Sequence, residues 1–263
     1  MQACRNDMEQ NGSSHGSILV VDDDASVRHA LNSILRTLGF STSEASGGEE
    51  ALRLAGAIHY DVVLLDINMS GMDGFETCRQ LRRLLPNIAI VMLTVRDNEE
   101  DKINALEAGA DDYVSKPFHI RELTARIRTS VRRVRTLEPD DNATIRIGTV
   151  ELDPARREVY KAGSLVHLTP KEFDLLHYLM AHADLPITHG RLLRAVWGPE
   201  YGGEVEYLRA FIYQLRKKIE DDSSQPKYLL TDMKLGYRFR ESDLGGRRSG
   251  VEPAHDKESH ADS

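Results

Sequence analysis

Two different rhythms of apolar and polar positions run along the chain. Over residues 17–133 five short strand-like runs, SILVVD, FSTSEA, DVVLLD, IAIVMLT and DDYVS, alternate with longer stretches whose apolar residues recur every three or four positions. Those stretches, SVRHALNSILRTLG, GGEEALRLAGA, DGFETCRQLRRLL, NEEDKINALEAGA and IRELTARIRTSVRR, carry the period of amphipathic helices. The first, third and fourth runs are nearly pure Val, Ile and Leu, as strands buried on both faces should be. Strict alternation predicts parallel strands with right-handed crossovers, hence an α/β doubly wound domain.

The rhythm changes after VRTLEPDDNA, residues 134–143, a short polar stretch that reads as a linker. Beyond it, TIRIGTVELDPARREVYKAGSLVHL predicts short antiparallel strands with turns at DPARR and KAGS. TPKE then reads as a capping box, with Thr169 as N-cap, Pro170 at the first helical position and Glu172 reaching back. Helices are expected over PKEFDLLHYLMAHA, THGRLLRAVWG (capped by Thr188, stopped by Gly198) and VEYLRAFIYQLRKKIE, and YLLTDMKLGYRF closes as a hairpin. The expected organisation is a polar tail at 1–16, a first domain at 17–133, the linker, a second domain at 144–240 and a tail at 241–263, with both tails polar enough to stay disordered.

Composition adds limits rather than detail. A length of 263 residues suits two domains, and no run is long or apolar enough to span a bilayer, so a cytoplasmic protein with no membrane partner is expected. Cys4 and Cys78 show no metal-ligand spacing. The net charge of −8 divides into −7 for residues 1–143, +2 for 144–240 and −3 for the remainder. The acidic half suits cations, and the second domain tolerates a polyanion.

Ligands of open parallel sheets bind beyond the carboxyl ends of the strands. The first strand ends in Asp22, Asp23 and Asp24, the third in Asp66, the fourth in Thr94 and the fifth in Ser115 and Lys116. In the flavodoxin-like order 2-1-3-4-5 these ends share one crevice, so Lys116 faces an acidic cluster. Crowded carboxylates call for a cation, and hard oxygen donors favour Mg2+. A phosphoryl group on Asp66 would meet the metal, Lys116 and the Thr94 hydroxyl together. Singly, each residue has a structural alternative: Asp24 as a helix cap, Thr94 as a strand-end hydroxyl, Tyr113 as core with a wet tip. Phosphatases of the haloacid-dehalogenase type also use an aspartyl nucleophile. Their second aspartate is an acid and base, a role Asn68 cannot fill, so a long-lived switch is expected in place of an enzyme.

LVVDDD, LLDINMSGMDGFE, MLT and GADDYVSKPF resemble the receiver (CheY-like) domain of two-component response regulators over residues 18 to about 133. That resemblance implies Asp66 as phosphoacceptor for a sensor histidine kinase, Asp22 and Asp23 as the acidic pair, and Asn68 as a metal ligand through its carbonyl. It also implies Thr94 and Tyr113 as switch residues and a cis Lys116–Pro117 bond. Ser70 departs from the family pattern, which usually has proline there.

The second domain is similar to the winged helix-turn-helix effector of the OmpR/PhoB class, whose third helix enters the major groove of double-stranded promoter DNA. Helical spacing places Leu208, Ile212, Leu215 and Ile219 on the buried side. Glu206, Ala210, Tyr213, Gln214 and Lys217 lie opposite, flanked by Arg209 and Arg216. The expected DNA contacts are Arg209, Ala210, Tyr213, Gln214, Arg216, Lys217, Lys234 and Arg238; a solvated basic face is the structural alternative. Lys234 stands where the family commonly has glycine. The resemblance further implies a homodimer on phosphorylation, pairing Lys102 with Glu122, Glu107 with Arg128, and Asp112 with Arg126 across a symmetric interface. Glu122 and Arg126, four apart, are the local alternative pair. Regulation independent of phosphorylation, or a receiver acting through protein partners, are the alternative functions.

Overall fold

The five runs of the first half form one parallel sheet: β1 (Ser17–Val21), β2 (Ser41–Ala45), β3 (Val62–Asp66), β4 (Ala89–Thr94) and β5 (Asp112–Ser115), in the order β2-β1-β3-β4-β5. The computed structural model describes residues 15–94, 99–135, 143–232, 235–241 and 247–248. Between the strands lie α1 (Ala25–Thr37), α2 (Gly48–Ala57), α3 (Gly74–Leu84) and α4 (Glu99–Glu107), and α5 (Ile120–Arg135) follows the last. Successive residues of β1 point to opposite sides of the sheet, which is why the run needs no polar position. Ile18 and Val20 join Leu31, Leu35, Leu123 and Ile127 of α1 and α5, whereas Leu19 and Val21 join Ala51, Ala55, Cys78 and Leu81 of α2 and α3. Each fully buried Val or Leu contributes about 1.5–3 kcal/mol, so a polar residue in this strand would cost one face its packing. Burial also pushes the Cys78 thiol up to about 12, which leaves it inert at neutral pH.

The second half opens with β6 (Ile145–Ile147), β7 (Val150–Asp153), β8 (Glu158–Lys161) and β9 (Ser164–Val166), paired antiparallel in sequence order. The capping box forms as expected, with Thr169 and Glu172 exchanging side-chain and backbone bonds at the start of α6 (Pro170–Ala181). β10 (Ile187–Thr188) leads into α7 (His189–Trp197), capped by the Thr188 hydroxyl, and α8 (Val205–Ile219) follows. β11 (Leu229–Asp232) and β12 (Gly236–Phe239) make the closing hairpin, and β12 also pairs with β10. Gly236 is required there: its φ is +147°, and a Cβ would lie 2.0 Å from the Ile187 carbonyl oxygen.

Three boundaries differ from the sequence reading. Helix α5 continues to Arg135, taking in the first two residues of the expected linker. Arg247 and Arg248 form β13, which pairs antiparallel with Arg146 and Ile145 of β6, so this part of the C-terminal tail is ordered on a sheet edge. Backbone pairing needs no apolar side chain, and composition therefore could not reveal it. At the other end His15 docks on the first domain, donating its N–H to the Gly39 carbonyl at 3.0 Å and setting its ring against Phe40. The remainder of both tails, 1–14, 242–246 and 249–263, lies outside the described residues.

Candidate functional site

The crevice assembles as the strand ends require. Lys116 Nζ donates to Asp22 Oδ2 at 2.7 Å and to Asp66 Oδ1 at 2.6 Å. Burial alone would lower the lysine's proton affinity, but its bonds to the two carboxylates carry it above the ordinary value. Burial raises the Asp66 carboxyl above the usual aspartate range against the opposing pull of Lys116, and the Asp22 charge adds to that rise. Asp66 Oδ2 accepts from its own loop, from the Asn68 N–H at 3.1 Å. Thr94 is buried at the end of β4 beside these groups in strand order, and the Lys116–Pro117 bond is cis, as expected. Asp24 stands apart as the cap of α1, accepting from the Ser26 N–H at 2.8 Å.

Local sequence sets this geometry. Asp73 caps α3 and starts that helix against the end of β3, where a Cβ on Gly74 would fall 2.2 Å from the Asp66 carbonyl oxygen. The donor set fits a small hard cation: one oxygen from each of Asp22, Asp23 and Asp66 lies within 4.8 Å of the others. Lys116 neutralises part of the pocket's charge. Three carboxylates against one ammonium still leave it net negative.

On α8, Leu208, Ile212, Leu215 and Ile219 are buried, as their spacing requires. Arg209, Tyr213 and Lys217 are exposed, with Lys217 Nζ 4.3 Å over the Tyr213 ring, and Arg209 pairs with Glu206 one turn back. Ala210 is partly buried against the core. Other expected DNA contacts are engaged within the chain as well. Arg216 donates from Nε and Nη2 to the Leu229 carbonyl at 3.0 and 2.8 Å and to the Thr231 hydroxyl at 2.9 Å, which ties α8 to the wing strand. Gln214 Nε2 lies 3.4 Å from Glu107 Oε1 of α4. Arg238 lies 3.7 Å from Asp232 across the hairpin. Lys234 and the Lys102 side chain lie outside the described residues.

That last contact of Gln214 belongs to a seam between the domains which sequence reasoning missed. Asp112 at the start of β5 accepts from the Tyr201 hydroxyl at 2.7 and 2.5 Å and pairs with Arg126 at 3.2 Å within the same chain. The Arg126 guanidinium stacks 4.3 Å over the Tyr201 ring and also reaches Glu122 at 2.8 Å, the local pair. Tyr207 of α8 donates to the Asp111 carbonyl at 2.8 Å and meets the Tyr113 ring edge-on, centroids 5.3 Å apart. Trp197 Nε1 donates to the same carbonyl at 3.3 Å, and the Lys171 N–H donates to the Asp111 carboxylate at 3.1 Å. The Asp112–Arg126 pair expected between two copies is therefore intramolecular here, while Glu107 and Arg128 are exposed. Tyr201 and Tyr207 lie in VWGPEY and EYLRAF, but no local pattern there names a partner in the first domain, so only their fold neighbours disclose the role.

Comparison with known proteins assigns families to both halves of the chain. The response regulator receiver domain family matches residues 18–128, and the transcriptional regulatory protein C-terminal family matches 163–239. The chain is 41% identical over 222 residues to the transcriptional regulatory protein KdpE of Mycobacterium tuberculosis (strain ATCC 25618 / H37Rv), covering 84% of this chain and 98% of that protein. It is 40% identical over 225 residues to the sensory transduction protein RegX3 of Mycolicibacterium smegmatis (strain ATCC 700084 / mc(2)155), covering 85% and 98%. A solved structure of a RitR mutant superposes with a TM-score of 0.69 at 28% identity, covering 86% of this chain and 99% of that one. The chain belongs to the two-component response regulators with an OmpR/PhoB-type DNA-binding effector domain. Among the described residues no helix is long and apolar enough to cross a membrane.

Proposed function

We propose that the chain is a cytoplasmic regulator switched by phosphorylation of Asp66 from a sensor histidine kinase. The observation that carries this reading is the segment Asp112–Lys116: its last residue holds Asp66 and Asp22, while its first two, Asp112 and Tyr113, meet Tyr201 and Tyr207 of the effector. An Asp66 oxygen attacks the phosphorus of the kinase phosphohistidine; the P–O bond forms as the P–N bond breaks, and the imidazole takes a proton. Asp22, Asp23 and Asp66, with the Asn68 carbonyl as a further ligand, would hold Mg2+, which would supply charge neutralisation at the phosphoryl oxygens. Lys116 and the Thr94 hydroxyl take the remaining oxygens, which draws both toward Asp66 and pulls on β5.

The pull acts on a face already partly occupied. With Asp112 and Arg126 held by Tyr201, part of the face formed by α4, β5 and α5 is occupied by the effector, while Glu107 and Arg128 stay exposed. Release exposes the occupied part, and Lys102 with Glu122, Glu107 with Arg128, and Asp112 with Arg126 then pair between copies. Two effectors thereby present α8 to adjacent half-sites of promoter DNA, with Arg209, Ala210, Tyr213, Gln214 and Lys217 of α8 and Lys234 and Arg238 of the wing in contact. The finer reading is control of potassium-transport (Kdp) genes, supported by the likeness of VWGPEY, EYLRAFIYQLRKKIEDD and GYRF to KdpE, a regulator of such genes, and by the similarity to the relative of that name.

The test is labelling with a small acyl phosphate and Mg2+, followed by footprinting with and without the donor. Wild type should be labelled and Asp66→Ala should not, and only labelled protein should dimerise and protect promoter DNA. Labelling that survives Asp66→Ala overturns the phosphoacceptor. Equal protection without donor favours a phosphorylation-independent DNA binder, and no protection of any DNA favours a receiver working through protein partners. Protection of other promoters in preference to that of the Kdp genes overturns only the finer reading.

A further inference from the structure

Each carboxylate of the acidic crevice has one oxygen tied by a backbone N–H. Asp22 Oδ1 accepts from Asp24 at 2.9 Å and Asp66 Oδ2 from Asn68 at 3.1 Å, both donors two residues further along the same loop. Asp23 is tied differently: its Oδ2 accepts at 2.9 Å from the N–H of Ser70, 47 residues away, in the loop between β3 and α3. Asp22 and Asp66 are buried and held by Lys116 as well, whereas Asp23 is exposed. Repulsion from two neighbouring carboxylates favours turning an exposed aspartate outward to water. A charge-assisted bond from a loop anchored on β3 opposes that turn. Ser70 is itself exposed and is followed by Gly71 at φ +80°, which lets the chain reverse immediately after the donor.

We propose that Ser70 is a positioning residue of the metal site, acting through its main-chain N–H, which holds Asp23 in the crevice and so strengthens divalent-cation binding. The side-chain hydroxyl has no part in this. Proline at this position would supply no N–H and would leave Asp23 without the tie. The inference rests on the reading of Asp22, Asp23 and Asp66 as the Mg2+ site.

Titration of the full-length chain with MgCl2, followed by calorimetry, tests it without any phosphoryl transfer. Ser70→Ala keeps the N–H and should bind Mg2+ within about twofold of wild type, while Ser70→Pro should bind about three- to tenfold more weakly. In an Asp23→Ala background the same proline should have no further effect, because its partner is gone. Equal affinity for wild type and Ser70→Pro overturns the inference, as does a loss that persists in the Asp23→Ala background or that Ser70→Ala shares. A wild-type chain that takes no Mg2+ overturns the metal site itself, and this inference with it. Should Ser70→Pro fail to fold, hydrogen exchange decides: the Ser70 amide should be protected in wild type and exchange at least about tenfold faster in Asp23→Ala. Unchanged exchange overturns the proposal.

Discussion

At the scale of single residues, Gly74 and Asp112 make opposite demands on their surroundings. Gly74 is needed for what it lacks: the nearest atoms to an added Cβ are main chain of Asp66 and Ile67, at 2.2 and 2.7 Å, and no rotamer change relieves them. Gly74→Ala should therefore push α3 off β3, at a cost of about 1–3 kcal/mol in chemical denaturation, and should slow the proposed labelling of Asp66. Asp112 is held by a charge that burial disfavours. Desolvation raises its carboxyl above the aspartate range although Arg126 and Lys171 pull the other way, and the Tyr201 and Tyr207 hydroxyls also face it. A raised carboxyl binds its proton more tightly when covered than when exposed. Its contribution to closure is full below the ordinary aspartate value, about 4, and is lost as pH rises through the raised value. The closed form should therefore loosen across that window, read as an increase in radius of gyration by X-ray scattering, and Asp112→Asn should remove the dependence.

At the scale of elements, α8 divides its residues among a buried stripe, a tie to β11 and an exposed face. Its buried stripe was legible because a 3.6-residue period leaves few choices for Leu208, Ile212, Leu215 and Ile219. The jobs of its polar residues were not, since Arg216 and Lys217 look alike in sequence while one bonds β11 and the other is exposed. Arg216→Ala should therefore lower the effector's stability by about 1–3 kcal/mol in denaturant melts, more than it changes the salt dependence of DNA binding. Gln214→Ala should relax preference at one or two base pairs, about 1–3 kcal/mol, with non-specific affinity nearly intact. Loss of salt slope without loss of stability in Arg216→Ala would return that residue to the phosphate contacts.

At the scale of the whole molecule, one surface has two claimants. Tyr201, Tyr207 and Gln214 of the same chain contact Asp112, Asp111 and Glu107, so the proposed dimer would compete with the intramolecular seam for Asp112 and its neighbours. Tyr201→Phe removes the donor to Asp112 but leaves the ring under Arg126, and should raise the unphosphorylated chain's DNA affinity about three- to tenfold, measured by fluorescence anisotropy. Two effectors released together should need half-sites about one helical turn apart. Inserting half a turn should abolish cooperative binding while single-site affinity stays as it was. An unchanged Tyr201→Phe variant would mean that this bond does not restrain the effector.

The alternation of receiver strands and helices and the three effector helices follow from the sequence alone, and the acidic crevice follows once the flavodoxin-like strand order is taken from the fold class. They depend on periodicity, on caps such as Thr169 and Thr188, and on a topology in which the carboxyl ends of adjacent parallel strands must meet, so Asp22, Asp66, Thr94 and Lys116 had to converge. Tertiary structure alone decided which partner each exposed-looking polar group takes. Asp112 faces Tyr201, 89 residues on, and Asp23 faces Ser70, 47 residues on. β13 joins β6 through main-chain bonds that leave no trace in side-chain pattern. Such contacts arise from the relative placement of whole elements, and a local period carries no information about the distance between residues that belong to different ones.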